Sequence, residues 1–280
     1  MSQDSIFYTP EYPKKRSKKD PPMTPDTMRV YVDLFSKLKQ DIQGIDMHHS
    51  KKSYNKDILD KYNYTKYLQE ARDLCERIQS HIESDAKRQN IYKKYLANIN
   101  GVGPLITAKL VAMIGDISKF NTISALWQFA GLGMNRYCKE CKKPTYVIAE
   151  FNGTKAKRLA PLKVCQDCGG ETLPIIQRET SGYMINYNPE FKVLCWNIVV
   201  SFIKQASESK YRKLYDEIKH EETLHAGKRT KMHIHKRAIR RVAKTFLADL
   251  WIEWRRMEHL PISKPYAISV LGHTDNGDMA

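Results

Sequence analysis

The chain has 280 residues, 41% of them apolar, enough to bury a sizeable core and too many for a disordered tail. Lys and Arg number 47 against 31 Asp and Glu, a net charge of +16, and that excess favours a polyanionic partner, nucleic acid first, through phosphate contacts and counterion release. The opening MSQDSIFYTPEYPKKRSKKD is polar and proline-punctuated, and no apolar run approaches the ~20 residues that span a bilayer. The expectation is an intracellular chain, cytoplasmic or nucleoid-associated, that is neither secreted nor in a membrane. Six cysteines, four of them in two close pairs, suit metal binding in a reducing compartment better than a disulfide framework.

Residues 1–26 combine five prolines with Lys14-Lys15-Arg16-Ser17-Lys18-Lys19, a composition that predicts a disordered basic arm. Residues 27–98 read as a helical hairpin region. Apolar residues recur there at helical spacing in Val30, Leu34, Phe35, Leu38 and Ile42, and again from Tyr64 through Leu68, Ala71, Cys75, Ile78 and Ile82. Cys75 falls on that stripe and is expected in the core. At residues 99–134 the glycine pattern predicts a helix-hairpin-helix, with Gly101-Val102-Gly103 at the turn and Pro104 opening the next helix.

Residues 135–178 carry the cysteine pairs. Cys138-Lys139-Glu140-Cys141 and Cys165-Gln166-Asp167-Cys168 each place two residues between thiols, the spacing of a knuckle turn that aims both sulfurs at one point. Two knuckles supply four sulfurs, so one structural zinc ion is expected in a β-ribbon insertion. A closed shell of four thiolates leaves no open position for a substrate. Basic helices return over 179–262, and 263–280 reads as a tail. The fold class expected is mainly α, with the ribbon inserted.

Two further groups point to nucleic acid. Backbone N–H groups at Gly101, Val102 and Gly103, with Lys109 on the helix that follows, suit the gripping of a phosphate without reading sequence. A tight turn between helices would carry the same glycines. In the last long helix, Lys236, Arg237, Arg240, Arg241 and Lys244 lie beside an apolar stripe running from Ile239 to Trp254. Residues 228–256 hold ten Lys or Arg against only Asp249 and Glu253, where a solvated face would mix signs. The run His220 to His225 places its second histidine one residue late for a zincin and is set aside.

Ile99-Asn100-Gly101-Val102-Gly103-Pro104, then Ile114-Gly115-Asp116-Ile117-Ser118-Lys119-Phe120, then Phe129-Ala130-Gly131-Leu132 resemble the C-terminal domain of the Piv/MooV-type invertases and insertion-sequence transposases. The likeness continues more weakly to about residue 256, with the cysteine module standing as an insertion after Ala-Gly-Leu. The resemblance implies a part in DNA transposition or recombination. In that family an N-terminal RNase H-like domain bears four metal-holding acidic residues, and the C-terminal domain contributes a serine. Residues 27–96 show helical periodicity and no run of buried strands, so Asp33, Asp41, Asp46 and Glu70 have no scaffold to gather them. Ser181, beside Gly182, is the candidate serine, and a simple turn residue is the reading that competes with it. Three readings stay open: a backbone-gripping DNA-binding protein without a complete catalytic site, served by a separate catalytic subunit or by self-association; an active serine-dependent transposase or recombinase; and a structured-RNA-binding protein.

Overall fold

A computed structural model describes residues 21–50 and 63–262. The expected arm lies outside the described residues as far as residue 20, and the expected tail lies outside them entirely. Two long helices open the described part, α1 (Pro25–Ser50) and α2 (Tyr64–Ala86). Pro25 stands in the first turn of α1, where its missing N–H costs nothing, and the Thr24 hydroxyl accepts from the Thr27 N–H at 3.3 Å. Met28, Val32, Phe35 and Ile42 recur on one face of α1 and meet Cys75, Ile82 and Ala86 of α2. The buried Asp85 carboxylate, at the end of α2, accepts the Met23 N–H at 2.7 Å, while the Gln89 amide donates to the Met23 carbonyl at 2.9 Å. Those two bonds fix where the chain enters α1.

After the short α3 (Asn90–Lys94) and a 3₁₀ turn (Leu96–Asn98), a glycine turn leads into α4 (Pro104–Ile114). The element before the glycines is thus a five-residue helix and a 3₁₀ turn, shorter than the full helix the sequence predicts. α4 is apolar nearly all round because it serves two cores. Ala108 and Ala112 face α1 and α2, where small side chains admit close approach, while Leu110, Val111 and Ile114 enter the larger core. Gly115, at φ 67°, closes α4 and a 3₁₀ turn (Ile117–Lys119) precedes α5 (Ile123–Phe129).

The larger core is built around three helices: α6 (Pro189–Ile203), α7 (Lys210–Leu224) and α8 (Lys231–Met257). Asn188 caps α6 by accepting the Phe191 N–H at 3.0 Å, and Thr230 caps α8 through the His233 N–H at 3.2 Å. Trp251 and Trp254 are core residues of α8, and Cys75 and Cys195 are buried. The Trp251 indole donates to the Phe120 carbonyl at 2.7 Å, and the buried Arg255 guanidinium reaches the Phe120 carbonyl at 3.2 Å and that of Pro261 at 2.8 Å. Desolvating that charge is tolerable only because carbonyl oxygens surround it.

Between α5 and α6 stand four strands in two antiparallel pairs. β1 (Met134–Cys138) pairs with β4 (Thr172–Ile176), from Met134 opposite Ile176 to Cys138 opposite Thr172. β2 (Tyr146–Phe151) pairs with β3 (Thr154–Leu159) across Asn152-Gly153, both at positive φ as a tight hairpin turn requires.

Three rings, Phe202 of α6, Tyr211 of α7 and Phe246 of α8, meet at centroid distances of 4.6 to 5.5 Å and lock the helices together. Phe246→Ala should lower the unfolding free energy by about 3–5 kcal/mol in urea denaturation, because it opens a cavity at that junction. Val30→Ala, on the exposed side of α1, should shift it by no more than about 0.5 kcal/mol.

Candidate metal centre and nucleic-acid interface

Each cysteine pair is shaped by its own backbone turn. The Cys138 N–H donates to the Lys143 carbonyl at 2.9 Å, and the Cys165 N–H to that of Gly170 at 2.9 Å. The Lys139 N–H donates to the Glu171 carbonyl at 3.0 Å and ties the first turn to the second. Gly170 lets the exposed Glu140 carboxylate lie close over the second turn, where a side chain would stand 2.8 Å from it and push it outward. The result gathers the Sγ atoms of Cys138, Cys141, Cys165 and Cys168 within 4.8 Å of one another. Cys138 and Cys168 lie 3.5 Å apart, Cys141 and Cys165 3.6 Å. A tetrahedral ion with bonds of about 2.3 Å to sulfur requires sulfurs about 3.8 Å apart. The four thiols can therefore hold a metal ion such as zinc with little movement. Among the described residues, they are the one group of three or more ligand-bearing side chains gathered at a point.

The cations of α8 divide into two sets according to the side of the helix they leave. Arg237 and Arg241 turn toward α7 and meet carboxylates. The Arg237 guanidinium holds Glu222 through two bonds of 2.6 and 3.1 Å, and Arg241 reaches Glu221 at 2.8 Å and Glu222 at 3.6 Å. Arg229 adds a third guanidinium 3.5 Å from Glu222. The Arg237 hydrogen bond, followed by the fields of all three arginines, holds the Glu222 carboxyl below the usual carboxylate range. Two arginines expected to face a phosphate thus already have anionic partners inside the chain.

Lys236, Arg240 and Lys244 recur every four residues and leave α8 on another side. Arg240 donates to the Gly131 carbonyl at 3.4 Å, to that of Leu132, and to that of Gly133 at 2.7 Å. Its role in the fold is to hold the turn between α5 and β1. Lys244 places its ammonium 3.9 Å from the centre of the Trp127 ring, whose indole N–H bonds the Lys244 carbonyl at 3.0 Å. Burial, and then the nearby Arg240 charge, bring the Lys244 pKa down to about 8. Lys236 is exposed. Among the described residues, none of the three side chains makes an ion pair with a carboxylate.

A residue that sequence reasoning missed joins this set. Lys192 of α6 donates to the Gln177 carbonyl at 3.0 Å and lies 4.5 Å above the Tyr187 ring. Burial and then Arg240 lower its pKa, with Glu179 opposing them. Around it the root of the strand module is closed by amides. Asn186 donates to Asn135 at 2.8 Å, and the Gln177 amide donates to the Gln128 carbonyl and to Asn186, both at 3.1 Å. The Gln177 Oε1 atom is buried with no hydrogen-bond partner among the described residues. No periodicity marks Lys192; only its closeness to α8 in space does.

The glycine turn is held from behind. Gly101 has φ 94°, its carbonyl accepts the Ser201 hydroxyl at 2.8 Å, and a side chain there would press on Phe202 at 3.1 Å. Val102 is buried, whereas the position a side chain would take at Gly103 is open. Lys109 sits elsewhere, half-buried in a groove of about 460 Å³ between α1, α4 and α6, lined also by Lys37, Asp33 and Glu190. Ser181 is exposed in the turn after β4 and, among the described residues, has no hydrogen-bonded base.

Glu222 gives these pairs a pH signature. Its carboxyl titrates below the ordinary value when folded, so its stabilisation is complete above that value and drains away as the pH falls through the lowered one. Glu222→Gln should have a lower Tm than the parent near pH 7, and the gap should narrow on acidification to about pH 3. Melting curves followed by circular dichroism across that range test this; a gap that stays constant counts against it.

Residues 93–137 match the model of the Transposase IS116/IS110/IS902 family. The matched stretch runs from the end of α3 through α4, α5 and the turn held by Arg240 into β1, and it stops at the residue before Cys138. No curated protein matches the chain. Among the described residues, no helix is long and apolar enough to cross a membrane. The chain therefore carries a segment related to insertion-sequence transposases.

Proposed function

We propose that this chain grips the DNA backbone during transposition or recombination, without a complete catalytic site of its own, and that its four cysteines hold one structural zinc ion. The observation that carries the reading is the face of α8 bearing Lys236, Arg240 and Lys244, which has no carboxylate partners among the described residues and runs along the root of the metal module beside the transposase-related segment. Lys236 is its outward charge, and Lys192, Arg240 and Lys244 add a partly desolvated positive field behind it. Arg237 and Arg241 contribute less, since Glu222 and Glu221 already neutralise them. The N–H groups at Gly101 and Gly103, where α4 begins, provide a second phosphate contact of the helix-hairpin-helix kind, whereas the Val102 N–H is already spent on the Ile99 carbonyl at 3.0 Å. Lys109 would act only at long range from its groove.

Two features support a non-catalytic role. Among the described residues Ser181 has no hydrogen-bonded base, and the cysteine cluster, as a closed four-sulfur shell, offers a substrate no position. An acidic metal centre would then come from a separate subunit or from self-association.

Duplex binding measured by fluorescence anisotropy should weaken steeply with salt. Lys236→Ala should reduce the log–log slope by about 0.9, as expected for one lost phosphate contact. A salt-independent affinity would refute backbone binding, and tighter binding to structured RNA than to duplex DNA would replace DNA as the partner. Strand cleavage by the parent chain that Ser181→Ala abolishes would overturn the non-catalytic reading. Elemental analysis should find one zinc per chain. Cys165→Ser should lose it and open residues 135–178 to protease while the helical circular dichroism persists; a protected module without metal would sink the zinc assignment.

A further inference from the structure

The middle of the hairpin formed by β2 and β3 is open to solvent on both faces. Val147 and Ile148 are 43% and 61% exposed, and the residues opposite them, Arg158 and Lys157, are exposed as well. We infer that this hairpin enters the major groove of duplex DNA and reads base edges there, giving the chain a sequence preference that backbone contacts do not supply; the inference rests on the DNA-binding reading above.

The hairpin is anchored at its base. The Leu159 N–H donates to the Met184 carbonyl at 3.0 Å, the Lys157 carbonyl accepts the Met184 N–H at 2.7 Å, and Leu159 itself is buried. On the other strand the Tyr146 hydroxyl donates to Asp167 at 2.8 Å, and the Tyr146 N–H to the Gln166 side-chain oxygen at 3.3 Å. Gln166 and Asp167 are the two residues between Cys165 and Cys168, so the second cysteine turn aims the hairpin.

Size and charge select the partner. Strands of six residues make a ribbon about 20 Å long. Two strands ~4.8 Å apart fit the ~12 Å major groove of B-form DNA and not its ~6 Å minor groove. The deep, narrow major groove of an RNA duplex admits no side chains, which turns the reading away from RNA. Asp167 and Glu171 are taken by Lys143 and Lys139 at the cysteine turns, and among the described residues no carboxylate pairs with Lys157 or Arg158.

The two faces differ in chemistry. Side chains alternate along a strand and opposed residues share a face. Val147, Ala149, Thr154, Ala156 and Arg158 therefore lie on one side, and Tyr146, Ile148, Glu150, Lys155 and Lys157 on the other. The second side mixes signs as a solvated face does, and its Lys157 ammonium lies 4.7 Å from the centre of the Tyr146 ring. The first side carries no carboxylate. Its small apolar groups suit thymine methyls, and a guanidinium is the group that grips O6 and N7 of guanine. The lysines of β3 also oppose edge pairing with a second copy of the chain.

The test selects binding sites for the full chain from a pool of randomised duplexes. The selected duplex should bind about tenfold tighter than its scrambled version, the discrimination that a guanine contact supplies. Arg158→Lys keeps the charge but not the forked donors, so it should cut that preference to about twofold or less while affinity for the scrambled duplex holds. Thr154→Glu, at an exposed position on the same face, should weaken the selected duplex more than the scrambled one. Ile148→Ser, on the reverse face, should leave the preference intact. A pool that yields no preferred sequence, or a preference that survives Arg158→Lys and Thr154→Glu, overturns the inference and leaves backbone binding standing. A dimer in sedimentation that Thr154→Glu dissociates would assign the hairpin to self-association and overturn it too. Failure to bind any duplex would instead refute the reading beneath it.

Discussion

Three successive carbonyls at the end of α5 point at one guanidinium, and much of the molecule is arranged around that contact. Gly131, Leu132 and Gly133 turn the chain out of the helical core and into β1, and a turn this tight leaves its carbonyls without partners in regular structure. Arg240 supplies the donors from α8, a helix distant in sequence. The same turn leaves no space at Gly131, where a side chain would stand 2.8 Å from both Lys192 and Tyr187. Fold and charge are thus joined here, since the arginine that completes the turn also sets the field felt by Lys192 and Lys244.

That field is positive by arrangement as well as by composition. The chain carries an excess of cations, but α7 neutralises one side of α8 with Glu221 and Glu222 and leaves the other side open. A polyanion would sense the difference between the two sides more than the net charge. Low dielectric at the root of the strand module strengthens the effect, because Lys244 lies against an indole and Lys192 against a phenol ring, both partly withdrawn from water.

What was legible in the sequence was local. The two Cys-x-x-Cys turns declare their geometry over four residues each, and the three-and-four spacing from Ile239 to Trp254 announces the buried side of α8. The mainly helical architecture follows from such patterns. Pairings between distant elements were not legible. Nothing in the order of residues says that Arg237 meets Glu222 while Arg240, three positions on, meets backbone carbonyls; the choice depends on how α7 and the α5 turn flank α8. Lys109 shows the same limit. It follows the glycine turn closely in sequence, yet helical rotation carries it into a groove that no residue of the turn lines. Lys192 belongs to no basic stripe, and it gains its importance only when α6 crosses near α8.

The register of β1 against β4 bears on how such a chain can change over evolutionary time. Met134 and Ile176 face each other across the ladder, so the strand module departs from the helical core and returns to it at one place. The amides of Asn135, Gln177 and Asn186 seal that place from the core side. For the helices, the route from α5 to α6 is complete before the first cysteine and resumes after the last. The β1–β4 ladder is not the only tie, since β3 also bonds Met184 on the way into α6, through the Lys157 carbonyl at 2.7 Å and the Leu159 N–H at 3.0 Å. A hairpin exchanged beyond the opposed pair would therefore keep the helical route intact only if it supplied partners for Met184.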